Sequence, residues 1–284
     1  MTCGRWPEVS ESDRLAQRAL EARGAVVEGR PWNVPGTGFG GFDAVVLRSN
    51  WEYHLEPDRF RAWLDALVRD AARIWNPPDL VRWNLSKRYL EALRAAGVPT
   101  VPTAFLDPRA PADDPRGLRA LLARHGWTRA VLKPEFGASA HGTRLVTEAT
   151  APEVAAELAI GTTTGGLLLQ PFIEEIQTHG EWSLIFIESE FTHAVLKRPA
   201  AGDFRVQPWL GGTVRSRRPP AGAIAAARTA MAALPGRALY ARIDGVQTPE
   251  GFLIMEVEVN EPGLFFTHAP HAAERMAEAI LRAL

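Results

Sequence analysis

Apolar residues recur along this chain in two rhythms, one near 3.6 residues and one of two, the signatures of helix and strand. Ser10–Arg23 follows the first, with Leu15, Ala19 and Ala22 on one face and Gly24 as its stop. Phe42–Leu47 is a short apolar run that predicts a buried strand. It leads into a polar and aromatic loop, Arg48-Ser49-Asn50-Trp51-Glu52-Tyr53-His54. Pro57 and Asp58 open a helix with Phe60, Trp63, Leu64, Leu67 and Val68 at helical spacing. Ser86–Ala96 is helical with Leu90 and Leu93 inward, ended by Gly97 and Pro99. A helix near 115–125, a strand Ala130–Lys133, a helix near 151–159 and a strand Leu167–Gln170 follow. The last third is strand-rich. Ser183–Glu188 and Phe191–Arg198 form one expected hairpin, turning at Ser189-Glu190. Leu239–Val246 and Phe252–Val259 form another across Thr248–Gly251, after an alanine-rich helix near 221–234. Ala272–Leu284 closes the chain as a helix.

Alternating helices and strands of this kind predict an α/β class built of α+β modules. The first part reads as an open parallel sheet, in which ligands sit beyond the carboxyl ends of strands. That makes Arg48, Ser49, Asn50 and Trp51 candidate substrate-binding residues. Such a sheet opens with a strand, yet only Met1-Thr2-Cys3 precedes the first helix, so the first strand is expected to be missing.

Composition narrows the class. The 284 residues carry 46% hydrophobic and 23% charged side chains, as ordinary globular proteins do. The net charge of −1 gives no bulk positive field for nucleic acid or anionic membrane. No stretch approaches the roughly 20 apolar residues that span a bilayer. One cysteine, Cys3, excludes an internal disulfide and a CxxC pair, and a cytoplasmic setting is expected.

Chemistry concentrates in the strand-rich third. Glu256, Glu258 and Asn260 alternate with Leu253, Met255, Val257 and Val259, which puts the two acids on one strand face about 7 Å apart. Carboxylates so placed repel one another, and Mg²⁺, with Mn²⁺ as the alternative, takes such oxygen ligands. An exposed sheet face is the plain alternative. The neighbouring strand adds Arg242 and Asp244 on one face, so Asp244, Glu256 and Glu258 form a candidate metal set beside an arginine. The loop Pro134–Thr143 is rich in small residues, including Gly137 and Ser139, the kind that let backbone N–H groups approach phosphate. Lys133 stands at its start and Lys87 on the preceding helix as candidate phosphate cations. Gln170, Phe172 and Ile173 suit a hinge that could receive an adenine ring, and Glu181 a ribose. Solvated surface and hinge packing are the alternatives at each of these. Lys197-Arg198 and Arg205 border a long loop that could clamp an anion.

In this order and spacing the motifs resemble the ATP-grasp superfamily, over about 200 residues from Arg82-Trp83-Asn84 to the C-terminus. The stretch Lys197-Arg198…Gly202-Asp203-Phe204-Arg205…Gly211-Gly212 is similar to the glutathione synthetase and ribosomal-protein glutamate ligase branch. The loop Val46–His54 and the segment Asn76–Leu90 look closest to the O-ureido-D-serine cyclo-ligases of cycloserine biosynthesis. The resemblance implies an N-terminal open parallel sheet (1–84) for substrate, a lid module (85–173) and a C-terminal antiparallel-sheet module (174–284) that grip ATP between them. It implies Lys87, Lys133, Gly137, Ser139, Gln170, Phe172, Ile173 and Glu181 around the nucleotide. It implies Mg²⁺ on Asp244, Glu256 and Glu258, and Arg242, Arg198 and Arg205 as catalytic cations. Many relatives carry Asn where Glu258 stands, so Asn260 or Glu261 is an alternative ligand.

The function so implied is an ATP-dependent ligase that activates a carboxylate as an acyl phosphate for attack by an amine-type nitrogen. The attack is intramolecular in a cyclo-ligase and intermolecular in an amino-acid or peptide ligase. A nucleotide-binding protein without turnover is the reading of another class. The expected partner is a small molecule, with no nucleic acid and no membrane. A homodimer is an analogy with the superfamily.

Overall fold

The computed structural model describes residues 1–70, 73–106, 117–160 and 165–284, with the side chains of 158–160 outside the description. Residues 115 and 116 of the expected helix near 115–125 therefore lie outside the described residues.

The chain begins with α1 (Asp13–Glu21), β1 (Val45–Val46), α2 (Pro57–Asp70) and β2 (Ile74–Trp75). β1 and β2 pair in parallel, Val45 with Ile74 and Val46 with Trp75. The expected strand Phe42–Leu47 thus shrinks to two residues, because its partner offers a ladder of only that length. The place of the missing first strand is taken by Met1–Thr2. Thr2 N donates to Arg30 O at 2.8 Å, Trp32 N to Thr2 O at 3.1 Å and Ser49 N to Met1 O at 3.0 Å. On α1 the buried face is Asp13, Ala16, Ala19 and Leu20, while Ala22 is exposed, a rotation from the expected stripe. Val68 on α2 is exposed too, whereas Phe60, Leu64 and Leu67 are buried.

Next come α3 (Pro78–Leu85) and α4 (Tyr89–Ala95). The sequence pattern joins Ser86 to the second of these helices; the structure instead leaves Lys87 in the turn between them. β3 (Ala104–Leu106), α5 (Gly117–His125), β4 (Arg129–Pro134), β5 (Arg144–Thr147), α6 (Ala151–Ile160) and β6 (Leu167–Pro171) then build a four-stranded antiparallel sheet of order β3-β6-β4-β5. Its core is private: Leu106, Leu118, Leu122, Leu132, Val146 and Leu169 pack together.

The remaining strands are β7 (Glu181–Ile187), β8 (Glu190–Arg198), β9 (Thr213–Ser216), β10 (Tyr240–Thr248) and β11 (Gly251–Glu258), with α7 (Glu175–Thr178), α8 (Ala221–Ala232) and α9 (Pro270–Arg282) between or after them. They form an antiparallel sheet of order β11-β10-β7-β8-β9, and both expected hairpins are present. The β10–β11 register shifts once: Asp244 faces Glu256, but Gly245 faces Ile254, so Met255 is an extra residue. The bulge reverses the alternation. Phe252 and Ile254 join Val257 and Val259 in the core, and Leu253 and Met255 pack on the other face with Ile173, Ile176, Val206 and Val246. The expected face Leu253-Met255-Val257-Val259 is therefore split. Gly245 is required at the shift, because a Cβ there would come within 2.4 Å of the Phe252 ring and 2.6 Å of Leu253 O.

β11 lies at a sheet edge, and side chains finish it. Asn84 on α3 donates to Val257 O at 2.7 Å and accepts from Val259 N at 3.0 Å. Tyr89 accepts from Val257 N, and Asn76 donates to both Tyr240 O and Val259 O. The two ends of the chain also share a core, since Ala16, Ala19 and Leu20 of α1 pack with Ala272, Ala273, Met276 and Ile280 of α9.

Candidate active site

The β10–β11 register places four charged side chains on one face, Arg242 opposite Glu258 and Asp244 opposite Glu256. β7 and β8 add two more, Glu181 opposite Lys197. Arg242 forks onto Asp244, with Nη2 at 2.8 Å from Oδ2, and also bonds Glu258. Lys197 bridges Glu181 and Asp244, lying 3.3 Å from Asp244 Oδ2. Lys87 reaches in from the α3–α4 turn, 2.7 Å from Glu256. Charge alternates through the cluster, and its electrostatics follow from burial first. Burial alone would raise Asp244, but Arg242 and Lys197 outweigh it and hold the carboxyl at about 2. Glu258 is pushed up to about 8 by burial and by Glu256 and Asp244, against the pull of Arg242. Burial lowers Lys87, yet Glu256 reverses the shift and the ammonium ends above its ordinary range.

The expected metal set is thus together on one face, but each acid already meets a cation. Both Asp244 oxygens are engaged, by Ser183, Arg242 and Lys197. Among the described residues no three His, Cys, Asp or Glu side chains surround one point as a metal cage. Glu256 and Glu258 still fit a divalent ion. They are hard oxygen donors on one buried face, where burial with Glu256 and Asp244 holds Glu258 above its ordinary range despite Arg242.

The middle sheet brings the remaining cation. Lys133 donates to Gln170 Oε1 at 3.0 Å, and Gln170 in turn donates to Thr103 at 2.9 Å. Burial lowers the Lys133 ammonium, with Lys87 adding to the effect and Glu256 opposing it. The small-residue loop turns sharply, with Ser139, Ala140 and Gly142 all at left-handed φ. Lys87 donates to Gly137 O at 2.7 Å, and exposed Ser139 lies at the tip. Phe136 and Ala138 pack on the N-terminal core, and the His141 ring lies 5.4 Å from that of His54. Burial and His141 depress His54 to about 4.

Phe172 carries the Arg129 guanidinium on its face at 3.9 Å. Ile173 joins Val206, Leu253 and Met255 in an apolar patch beside the acids. Arg198 is exposed and Arg205 pairs with Asp203 at 2.9 Å, so neither touches the acidic cluster in this arrangement.

The Arg48–Trp51 loop converges on the segment after β11. Arg48 pairs with Asp13 at 3.1 Å and donates to Pro262 O at 2.7 Å. Ser49 lies 3.4 Å from Asp13, Asn50 donates to Asn260 Oδ1 at 2.8 Å, and Trp51 donates to Glu261 O at 3.1 Å. Lys197, expected in the anion clamp, instead pairs with Glu181 and Asp244, and Tyr53 was given no role. Lys197 was legible from strand alternation, which turns it inward and Arg198 outward. Tyr53 carried no signal beyond its place in the loop.

A family model described as the N-terminal domain of D-cycloserine synthetase DcsG matches residues 1–76. The cycloserine biosynthesis protein DcsG of Streptomyces lavendulae is 32% identical over 259 residues, 86% of this chain and 84% of that protein. The crystal structure of D-cycloserine synthetase DcsG superposes with a TM-score of 0.83 at 27% identity, covering 95% of this chain and 93% of that one. A RimK domain ATP-grasp protein from Sphaerobacter thermophilus DSM 20745 shares the fold, with a TM-score of 0.68 at 18% identity over 97% and 96% of the two chains. The chain belongs to the ATP-grasp ligases and is a C–N-bond-forming enzyme of that superfamily. Within it, the sequence and fold are similar to those of the cycloserine protein DcsG over nearly their whole length.

Proposed function

We propose that this chain is an ATP- and Mg²⁺-dependent cyclo-ligase acting on an amino-acid derivative, with ring closure by a nitrogen of the same molecule. The observation that carries the reading is the match of residues 1–76 to the DcsG N-terminal domain, because the Arg48–Trp51 loop lies in that part. On this reading residues 1–84 hold substrate, 85–173 cover the nucleotide and 174–284 carry the chemistry.

A carboxylate is a poor acylating agent at neutral pH. Attack of its oxygen on the γ-phosphorus breaks the bond to ADP and yields an acyl phosphate. A nitrogen lone pair then attacks the acyl carbon, and the C–O bond to phosphate breaks. Lys87 and Lys133 bind the phosphates, with Gln170 fixing the Lys133 ammonium by a 3.0 Å hydrogen bond. The patch of Ile173, Leu253 and Met255 accepts the adenine with Phe172, and Glu181 takes the ribose. Arg242, held in place by Asp244 and Glu258, offers charge-assisted hydrogen bonds to the transferred phosphoryl group and the tetrahedral oxyanion. Arg198 and Arg205 bracket the loop that closes on it. Glu256 and Glu258, with Asp244 beside them, would hold Mg²⁺, which would neutralise the phosphate charge.

The test is Mg²⁺-dependent ADP release across O-ureido-D-serine, amino acids and short peptides, with mass spectrometry of each positive. A cyclised product is expected. A linear amide between two molecules overturns the cyclo-ligase reading in favour of an intermolecular ligase. Asp244→Ala is expected to abolish turnover, and unchanged ADP release by that variant sinks the metal assignment.

A further inference from the structure

We infer that Glu261 is the subsite for an organic ammonium group of the substrate, which makes that substrate a zwitterionic amino-acid derivative bound by its amine as well as its carboxylate. The inference deepens the cyclo-ligase reading and rests on it.

The argument begins with the pairing of charges around the site. Glu181 and Asp244 share Lys197, Asp244 and Glu258 share Arg242, and Glu256 has Lys87. Glu261 differs. It is 7% exposed, yet among the described residues its carboxylate makes no ion pair and has only the Tyr53 phenol as a hydrogen-bonding neighbour. A buried carboxylate without a cation is expensive, so the fold leaves a position that a cation would fill.

Its surroundings say which cation. Trp51 donates to the Glu261 backbone at 3.1 Å, and the Tyr53 phenol lies beside the carboxylate. A buried carboxylate beside a phenol hydroxyl and with no cation of its own suits an organic ammonium, whereas Mg²⁺ keeps several of its waters. The adjacent pair adds recognition atoms. Asn50 and Asn260 are essentially fully buried and make one hydrogen bond together, leaving Asn50 Oδ1 and Asn260 Nδ2 without partners. Glu261 also lies within Coulomb range of Lys87, Arg242, Glu256 and Glu258. An amine held there leaves the carboxylate of the same small molecule next to Arg242.

The experiment measures calorimetric binding to the Mg²⁺–ADP form of the full chain. The ligands are D-cycloserine and isoxazolidin-3-one, its analogue without the amino group. The wild type is expected to prefer D-cycloserine by about tenfold or more, because a site built for a polar group rejects the ligand that lacks it. Glu261→Gln is expected to reduce that preference to within about twofold while the Mg²⁺ midpoint for ADP binding stays put. Glu261→Asp keeps the charge and is expected to keep the preference, which decides the matter if the glutamine variant does not fold. A preference that survives Glu261→Gln overturns the proposal. So does a shifted Mg²⁺ midpoint with the preference intact, which would make Glu261 a metal ligand. If neither ring compound binds the wild type, the cyclo-ligase reading fails instead. D-serine against 3-hydroxypropionate, the same amine contrast without the ring, then decides the subsite by the same two criteria.

Discussion

Lys197 and Arg198 are neighbours in the chain with opposite surroundings. Lys197 is buried between Glu181 and Asp244, whereas Arg198 is exposed. Lys197→Met would leave two buried carboxylates short of a cation, and removing one partner of a buried pair costs about 3–5 kcal/mol. Urea denaturation is expected to read a loss of that order, with ADP release falling at least about a hundredfold as Asp244 loses a partner. Arg198→Ala is expected to shift stability by less than about 0.5 kcal/mol in the same titration. Much of this site was readable in advance. Strand alternation puts Arg242 with Asp244 and Glu256 with Glu258, but the bulge at Met255, rather than the Thr248–Gly251 turn, sets Asp244 beside Glu256 and Arg242 beside Glu258. Met255 was misplaced because a period of two cannot report an inserted residue. The pairing of Lys197 was missed because the two-residue alternation was not carried across the first hairpin.

At the level of elements, the exposed edge of β11 is where sequence reasoning had least to work on. α3 is only eight residues long, and one of the four positions on its buried face, Leu80, Val81, Asn84 and Leu85, is polar. The pattern therefore left it unassigned. Yet Asn84 on this helix completes two peptide groups of β11, those on either side of Glu258. Asn84→Ala would strand a buried carbonyl and a buried N–H, each worth about 1–3 kcal/mol. The expected result is a drop of about 2–5 kcal/mol in unfolding free energy by denaturant titration. Val81→Ala on the same helix removes buried apolar contacts without touching those bonds. At matched loss of stability, Asn84→Ala is expected to lower turnover further than Val81→Ala. Equal turnover in the two variants would limit Asn84 to a structural part.

Over the whole molecule, the cores join parts distant in sequence. α1 and α9 share one, and Leu80, Tyr89 and Leu93 share another with β7, β10, β11 and α8. The middle sheet keeps its own. His193 sits where β8 meets the segment after Glu261, 3.0 Å from Leu264 O, with His268 and His271 nearby. Burial lowers it to about 4, with His271 and His268 adding to the effect. Between that value and 6.5 the unfolded chain binds the extra proton. The stabilisation is therefore complete above pH 6.5 and drains away as pH falls toward 4. The slope is at most about 1.4 kcal/mol per pH unit for one histidine. Thermal unfolding between pH 7.5 and 5 is expected to be less steep in His193→Gln than in the wild type, and an unchanged slope would remove His193 as the source. Nothing in the residue order marks His193, since only packing distinguishes it from the other histidines.

The single hydrogen bond between Asn50 and Asn260 spans 210 positions of chain and links the Arg48–Trp51 loop to the segment after β11. Neither loop can then drift alone. A change at position 50 that suits a new substrate meets a buried partner shaped for the old one, and the converse holds at position 260. The two sites are epistatic by construction. Variant libraries that randomise one loop at a time will sample mostly broken pairs, whereas libraries that vary both positions together can move between specificities without passing through them.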